Sequence, residues 1–256
     1  MVPTVTDVSV VIMAHPKRRA WAEGLAEIMG CPVVWDEGKG MWDTGRRALL
    51  AGVAAGGTHH LVLQDDTIPS DGLAGLLETL RRPGPTSLYA GASQHTTPAV
   101  AACVARGVPW FRYAGLVWGP AVMQPVEHLE PLVAHGDIIS SRSYDQRLTA
   151  YWRRRKVACW YTVPSLVEHR HGGNPSLKGG PDGRRAITFG SGVGVDWDIE
   201  AVVADKDLWS PLVTFQDGHS RVRRVRYGTA IYRRLAANRT FQLDDQSASL
   251  VAQLTV

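Results

Sequence analysis

The chain has 256 residues, 45% hydrophobic and 20% charged, with a formal net charge of +4. That balance excludes a disordered or fibrous chain and describes a globular protein with its own core, in one domain or one and a half. The mild positive excess admits an anionic ligand without requiring one. Cys31, Cys103 and Cys159 form no CxxC pair and no zinc pattern, which points to free thiols in a reducing compartment. The early apolar run "VSVVIMA" is too short to cross a bilayer and too short for a secretory signal. The expectation is a cytoplasmic protein with no membrane insertion.

Residues 8–14 read as a buried strand, apolar and β-branched, ending in polar His15 and Pro16. Residues 18–29 carry Trp21, Leu25, Ile28 and Met29 at helical spacing, and Gly30 stops the helix. "CPVVW" (31–35) is a second short strand, followed over 36–45 by a loop rich in glycine and charge. Residues 46–57 read as a helix with Thr44 as N-cap and two glycines at its end. "HLVL" (60–63) is a third strand that runs into "QDD". Ser70 or Asp71 caps a helix over 72–82, with Leu73, Leu76, Leu77 and Leu80 on one face and Pro83 closing it. Strand and helix alternate three times, which predicts a mostly parallel, Rossmann-like sheet flanked by helices. Ligands of such α/β sheets gather at the carboxyl ends of the strands. Three polar junctions fall there: His15 to Arg19, Asp36 to Lys39, and Gln64 to Asp66.

The middle is less regular. Residues 87–93 and 110–119 read as strands, 125–136 as a helix, 143–156 as a helix with a basic end, and 157–169 as a strand. A glycine-rich loop, "RHGGNPSLKGG" (170–180), follows. From about residue 190 the periodicity weakens. Arg221, Arg223, Arg224, Arg226, Arg233, Arg234 and Arg239 crowd one stretch without acids, read as a solvated basic helix or as a patch for phosphate backbones. The expected organisation is a catalytic domain over 1–190 and a basic C-terminal extension over 191–256.

Asp65 and Asp66 are adjacent like charges at the end of an apolar strand. They read either as a solvated turn or as ligands of a hard divalent cation, Mg²⁺ or Mn²⁺, which completes its shell with phosphate oxygens and water. Downstream, "PSLVEHRHGG" places His169 and His171 just after another apolar strand. An imidazole there is either structural or the completion of a Mn²⁺ site begun by a carboxylate. The glycines after it let backbone N–H groups approach phosphate, and Lys178 adds a charge.

Taken together, "VSVVIMAHPKRR", "LVLQDDTIPSDGL" and "YDQRLTAYWRRRKVACWYTVPSLVEH" resemble the GT-A fold glycosyltransferases over residues 8–180. These enzymes bind a nucleotide sugar through a short acidic motif that ends a strand. The resemblance implies a metal-dependent enzyme that moves a sugar from a nucleotide-sugar donor, UDP-linked in the family, to a hydroxyl acceptor. It implies Asp66 as the direct metal ligand, Asp65 as support for the ion or the donor sugar, and His169 as second ligand with His171 in reserve. Gln64 departs from the commoner acid; it can reach a ribose hydroxyl but supplies no charge. Asp36 is placed to meet the base or ribose, with Ala14, His15 and Arg18 or Arg19 lining the same pocket and Arg46 within reach of the diphosphate. Asp145 is placed as general base on the acceptor hydroxyl, which implies inversion at the sugar; it reads equally as a first-turn acid favourable to the helix dipole. Asp137 is the fallback. Of the nine tryptophans, Trp35, Trp110, Trp118, Trp152 and Trp160 read as packing, and Trp42 as the residue to stack on a base or sugar.

Three acceptor classes fit: a modified DNA base, a protein or a glycan. Two other functional classes stand beside the transferase: a Mg²⁺-dependent nucleotidyl or phosphoryl transferase, and a nucleotide-binding protein without catalysis.

Overall fold

In the computed structural model, residues 7–93, 96–140, 143–170 and 185–199 are described, together with the backbone of two strands at 209–216 and 219–226. The chain opens with β1 (Val8–Ala14), a 3₁₀ turn (Pro16–Arg18), α1 (Arg19–Met29), β2 (Val33–Trp35), α2 (Met41–Ala55) and β3 (His59–Gln64). A short β4 (Thr67–Pro69) and α3 (Leu73–Leu76) follow, then β5 (Thr86–Ser87), α4 (Thr96–Arg106) and β6 (Trp110–Tyr113). Next come β7 (Ala121–Pro125), α5 (Leu129–Asp137), α6 (Tyr144–Arg154), β8 (Cys159–Thr162) and β9 (Val167–His169). The hairpin partners β10 (Trp209–Gln216) and β11 (His219–Arg226) complete the described elements.

Seven strands form one sheet in the order β2-β1-β3-β7-β5-β8-β6. Five run the same way, and β7 and β6 run against them. This is the mostly parallel α/β sheet expected of a GT-A type, Rossmann-like architecture. β1 and β3 are apolar on both pleats because both faces are covered. Val11, Met13 and Val62 face one layer, with Leu49, Leu132, Leu148 and Trp152 from α2, α5 and α6. Ile12, Leu61 and Leu63 face the other, with Ala22 and Leu25 of α1 and with Leu73, Leu166 and Trp197. Each such aliphatic side chain, fully withdrawn from water, contributes roughly 1.5–3 kcal/mol. Residues 191–199 lie on this second layer: Trp197 is buried, and its carbonyl accepts from the Trp110 indole at 3.1 Å and from Arg82 at 2.7 Å.

Several elements differ from the sequence reading. α2 begins at Met41 after Gly40, so Thr44 is not an N-cap but a first-turn residue whose hydroxyl donates to the Gly40 carbonyl. The helix over 72–82 shrinks to α3, whose turn starts from Gly72 at φ 77°. The long strand over 157–169 breaks at the cis Val163–Pro164 bond into β8 and β9, which belong to different sheets. The strands expected at 87–93 and 110–119 are the short β5 and β6. α4 and β7 were missed. β7 is buried along its length, and its Gln124 carboxamide accepts from the Trp152 indole, so a polar letter hid a central strand. Arg221 to Arg226 lie in a strand, not a helix; Arg233, Arg234 and Arg239 lie outside the described residues. The three cysteines are free thiols. Among the described residues no helix is long and apolar enough to cross a membrane.

Candidate functional site

From β1 the chain crosses to β2 on one side and then returns to β3 on the other. The carboxyl ends of β1 and β3 therefore flank a topological switch point, the crevice where open α/β sheets bind ligands. Asp65 and Asp66 emerge from β3 at that crevice. The Asp65 N–H donates to the Met13 carbonyl at 3.1 Å, which ties the acids to the end of β1.

The two carboxylates have different surroundings. Asp65 is 1% exposed and fully engaged. Its Oδ2 accepts from the His15 N–H at 2.7 Å and from Arg18 Nε at 3.1 Å, and its Oδ1 meets Arg18 Nη2 at 2.8 Å. Burial dominates its titration and pushes the carboxyl up to about 6; Arg18 and the His15 N–H pull it down, and Asp66 adds to the rise. Asp66 keeps 13% side-chain exposure. Its Oδ2 accepts from Arg18 Nη1 at 2.6 Å and lies 3.7 Å from His169 Nδ1. Its Oδ1 is buried with no hydrogen-bond partner.

A second small sheet brings His169 there. β4, just after the acids, pairs antiparallel with β9, setting Thr67 opposite His169. The Arg170 N–H donates to the Asp66 carbonyl at 2.7 Å and closes the ladder. Glu168, almost fully buried, accepts from the N–H groups of His169 at 2.7 Å and Ala186 at 2.9 Å. The imidazole rests edge-on to Tyr89, with centroids 5.7 Å apart, and Tyr89 stands edge-on to Trp118 at 5.9 Å. The sequence reading missed this aromatic wall, because Tyr89 and Trp118 follow different strands and share no spacing.

The other predicted residues divide into those near the crevice and those away from it. Asp36 follows β2, and its N–H donates to the Ala14 carbonyl at 2.7 Å. Its carboxylate accepts from the N–H groups of Gly38 and Gly40 and lies 3.9 Å from His15 Nε2. Gln64 and Asp145 both approach Gly119: a Cβ built there would lie 3.0 Å from Gln64 Nε2 and 3.2 Å from Asp145 Cβ. Asp145 opens α6 and accepts from the Ser143 hydroxyl. Trp42, by contrast, is packed within the helical layer. Its indole donates to Asp137 at 2.8 Å, Arg147 covers its ring at 4.7 Å, and Gly136 leaves room for it. Arg46 is half-buried on α2, 3.8 Å from Asp43, and Arg19 covers Trp35 at 4.5 Å. His171 and Lys178 lie outside the described residues. A mostly apolar recess of about 350 Å³, lined by Cys103, Pro109, Val163, Pro164 and Val195, lies at the opposite edge of the sheet and shares no residue with the acids.

Among the described residues no group of three or more histidine, cysteine or acidic side chains stands together as a ready ion cage. Asp66 and His169 nevertheless fit a hard divalent cation as part of its shell. The donor set is a carboxylate and an imidazole, as Mn²⁺ accepts. One buried carboxylate oxygen also lacks any partner, a costly state that a cation relieves.

No protein-family profile matches the chain. No curated protein matches it. Among solved structures, the crystal structure of a glycosyltransferase involved in the glycosylation of the major capsid of PBCV-1 is similar over 58% of this chain and 78% of that one, at 10% identity and a TM-score of 0.33. A likeness that loose carries no weight for function.

Proposed function

We propose that the protein is a metal-dependent glycosyltransferase that moves a sugar from a nucleotide-sugar donor, a UDP-sugar first among candidates, to a hydroxyl acceptor with inversion. The observation that carries this reading is the Asp66 carboxylate at the switch point, with one oxygen orphaned and the other facing His169. Asp66 and His169 would hold Mn²⁺ or Mg²⁺, which when bound neutralises the charge gathering on the leaving diphosphate.

The chain's own residues do the rest. Asp65 fixes Arg18 and the β1–α1 junction rather than meeting the ion. Asp36 and the Ala14–His15 backbone receive the nucleoside, Asp36 accepting from ribose hydroxyls. Gln64 offers its carboxamide beside Asp145. Asp145 takes the proton of the acceptor hydroxyl as that oxygen bonds to the anomeric carbon; the bond from that carbon to the phosphate oxygen breaks, and the nucleoside diphosphate leaves with the electron pair. Its place beside Gln64, across Gly119, supports that role over a purely helix-capping one.

A thermal-shift panel on the full chain tests the reading. UDP-sugars with Mn²⁺ are expected to raise the melting temperature by mass action, and slow release of free sugar and UDP is expected on incubation. A larger rise with nucleoside triphosphates and Mg²⁺ would point instead to phosphoryl or nucleotidyl transfer. Binding without any turnover would leave a nucleotide-binding protein.

A further inference from the structure

One guanidinium serves both acids. Arg18, at the end of the 3₁₀ turn after β1, places Nε and Nη2 on the two oxygens of Asp65 and Nη1 on Oδ2 of Asp66. Its side chain is only 14% exposed. The Asp66 oxygen it holds is also the one that faces His169. A dication joining Asp66 to His169 therefore meets a positive charge already on the same carboxylate, in a site where water screens little.

On the proposed-function reading, we propose that Arg18 is the diphosphate-binding residue of this site, parked on Asp66 until ion and diphosphate arrive together. The exchange balances charge. Two carboxylates and one guanidinium leave the empty site one negative charge in excess. A dication entering alone reverses that sign and crowds Nη1. A diphosphate entering with it offers the guanidinium oxygens that match its planar fork as well as a carboxylate does. Nη1 swings from Asp66 to the phosphates while Nε and Nη2 stay on Asp65, which the His15 N–H also holds. Ion and diphosphate must then strengthen each other's binding, and by the same factor in both directions.

The test uses the full chain, Mn²⁺ alone, and labelled inorganic pyrophosphate as the probe. Free Mn²⁺ is titrated by electron paramagnetic resonance, and pyrophosphate by equilibrium dialysis with and without saturating Mn²⁺. In the wild type, Mn²⁺ should tighten pyrophosphate binding about tenfold or more, within the usual range of coupling between sites. In Arg18→Gln, Mn²⁺ alone should bind about tenfold tighter than in the wild type, and the tightening of pyrophosphate by Mn²⁺ should fall below about threefold. Unchanged or weaker Mn²⁺ binding in Arg18→Gln, with coupling intact, would make Arg18 a structural counter-charge and end the proposal while leaving the enzyme reading untouched. No Mn²⁺ binding by the wild type, with or without pyrophosphate, would end both. If Arg18→Gln does not fold, Arg18→Lys decides: a single ammonium cannot span both acids, so Mn²⁺ alone should bind about threefold tighter, and unchanged affinity overturns the exchange.

Discussion

Asp65 and Asp66 are neighbours in the chain with different surroundings. Asp65→Asn removes one partner of a two-point guanidinium contact together with a charge that burial disfavours at neutral pH, so the two effects oppose and stability there should change by less than about 1 kcal/mol, read by urea unfolding. Asp66→Asn keeps an oxygen for Arg18 and relieves repulsion between like charges, so stability should change by less than about 1 kcal/mol. Its Mn²⁺ binding and Mn²⁺-dependent turnover should be lost, checked by calorimetric titration and donor hydrolysis. Asp145→Asn should slow transfer about a hundredfold or more while donor affinity holds, measured by single-turnover kinetics beside UDP titration. Normal transfer by that variant would place the base elsewhere. The sequence alone shows that both acids of "QDD" end a strand; it cannot show that one is consumed by Arg18 and the other left with an orphaned oxygen.

At the scale of elements, glycines mark where layers touch. α2 crosses β3 so closely that a Cβ on Gly52 would fall 2.3 Å from Cγ of His60. Gly52→Ala should therefore destabilise by about 1–3 kcal/mol through overpacking. Gly24, inside α1, has nothing within 4 Å of the same added carbon, so Gly24→Ala should stabilise by about 1 kcal/mol through helix propensity alone. Thermal or urea unfolding of the pair checks both signs. β1, α1, β2, α2 and β3 were legible because apolar runs and helical periodicity alternate cleanly with polar breaks. α4 and β7 were not: α4 is rich in small residues with little amphipathic contrast, and the carboxamide and proline of "AVMQP" obscure a strand that tertiary hydrogen bonds satisfy.

For the whole molecule, acid behaviour follows from two buried groups of opposite sign. His60 donates from Nε2 to the Ala48 carbonyl, accepts from the Ser9 hydroxyl at Nδ1, and has its pKa lowered by burial from 6.5 to about 4. Below 6.5 the unfolded chain takes a proton there that the folded protein refuses, so stability falls as pH drops towards 4. Asp65, raised from 3.8 to about 6, acts the other way: the folded protein takes the proton first, so stability rises as pH drops through 6. Each contributes about 3 kcal/mol, and they largely offset. Asp65→Asn should remove the offset, so that between pH 6.5 and 4 the variant loses about 3 kcal/mol more than the wild type in urea unfolding. The sequence by itself determined the alternation of strand and helix, hence the mostly parallel sheet, because turn chemistry and apolar periodicity are local signals. Only the tertiary structure decided that His169 reaches Asp66, that Arg18 spans both acids, that Asp145 stands beside Gln64, and that Trp42 packs inside the helical layer. Those meetings depend on the β4–β9 ladder, the turn after β1 and the approach at Gly119, between residues up to about a hundred positions apart, whose encounter no local spacing encodes.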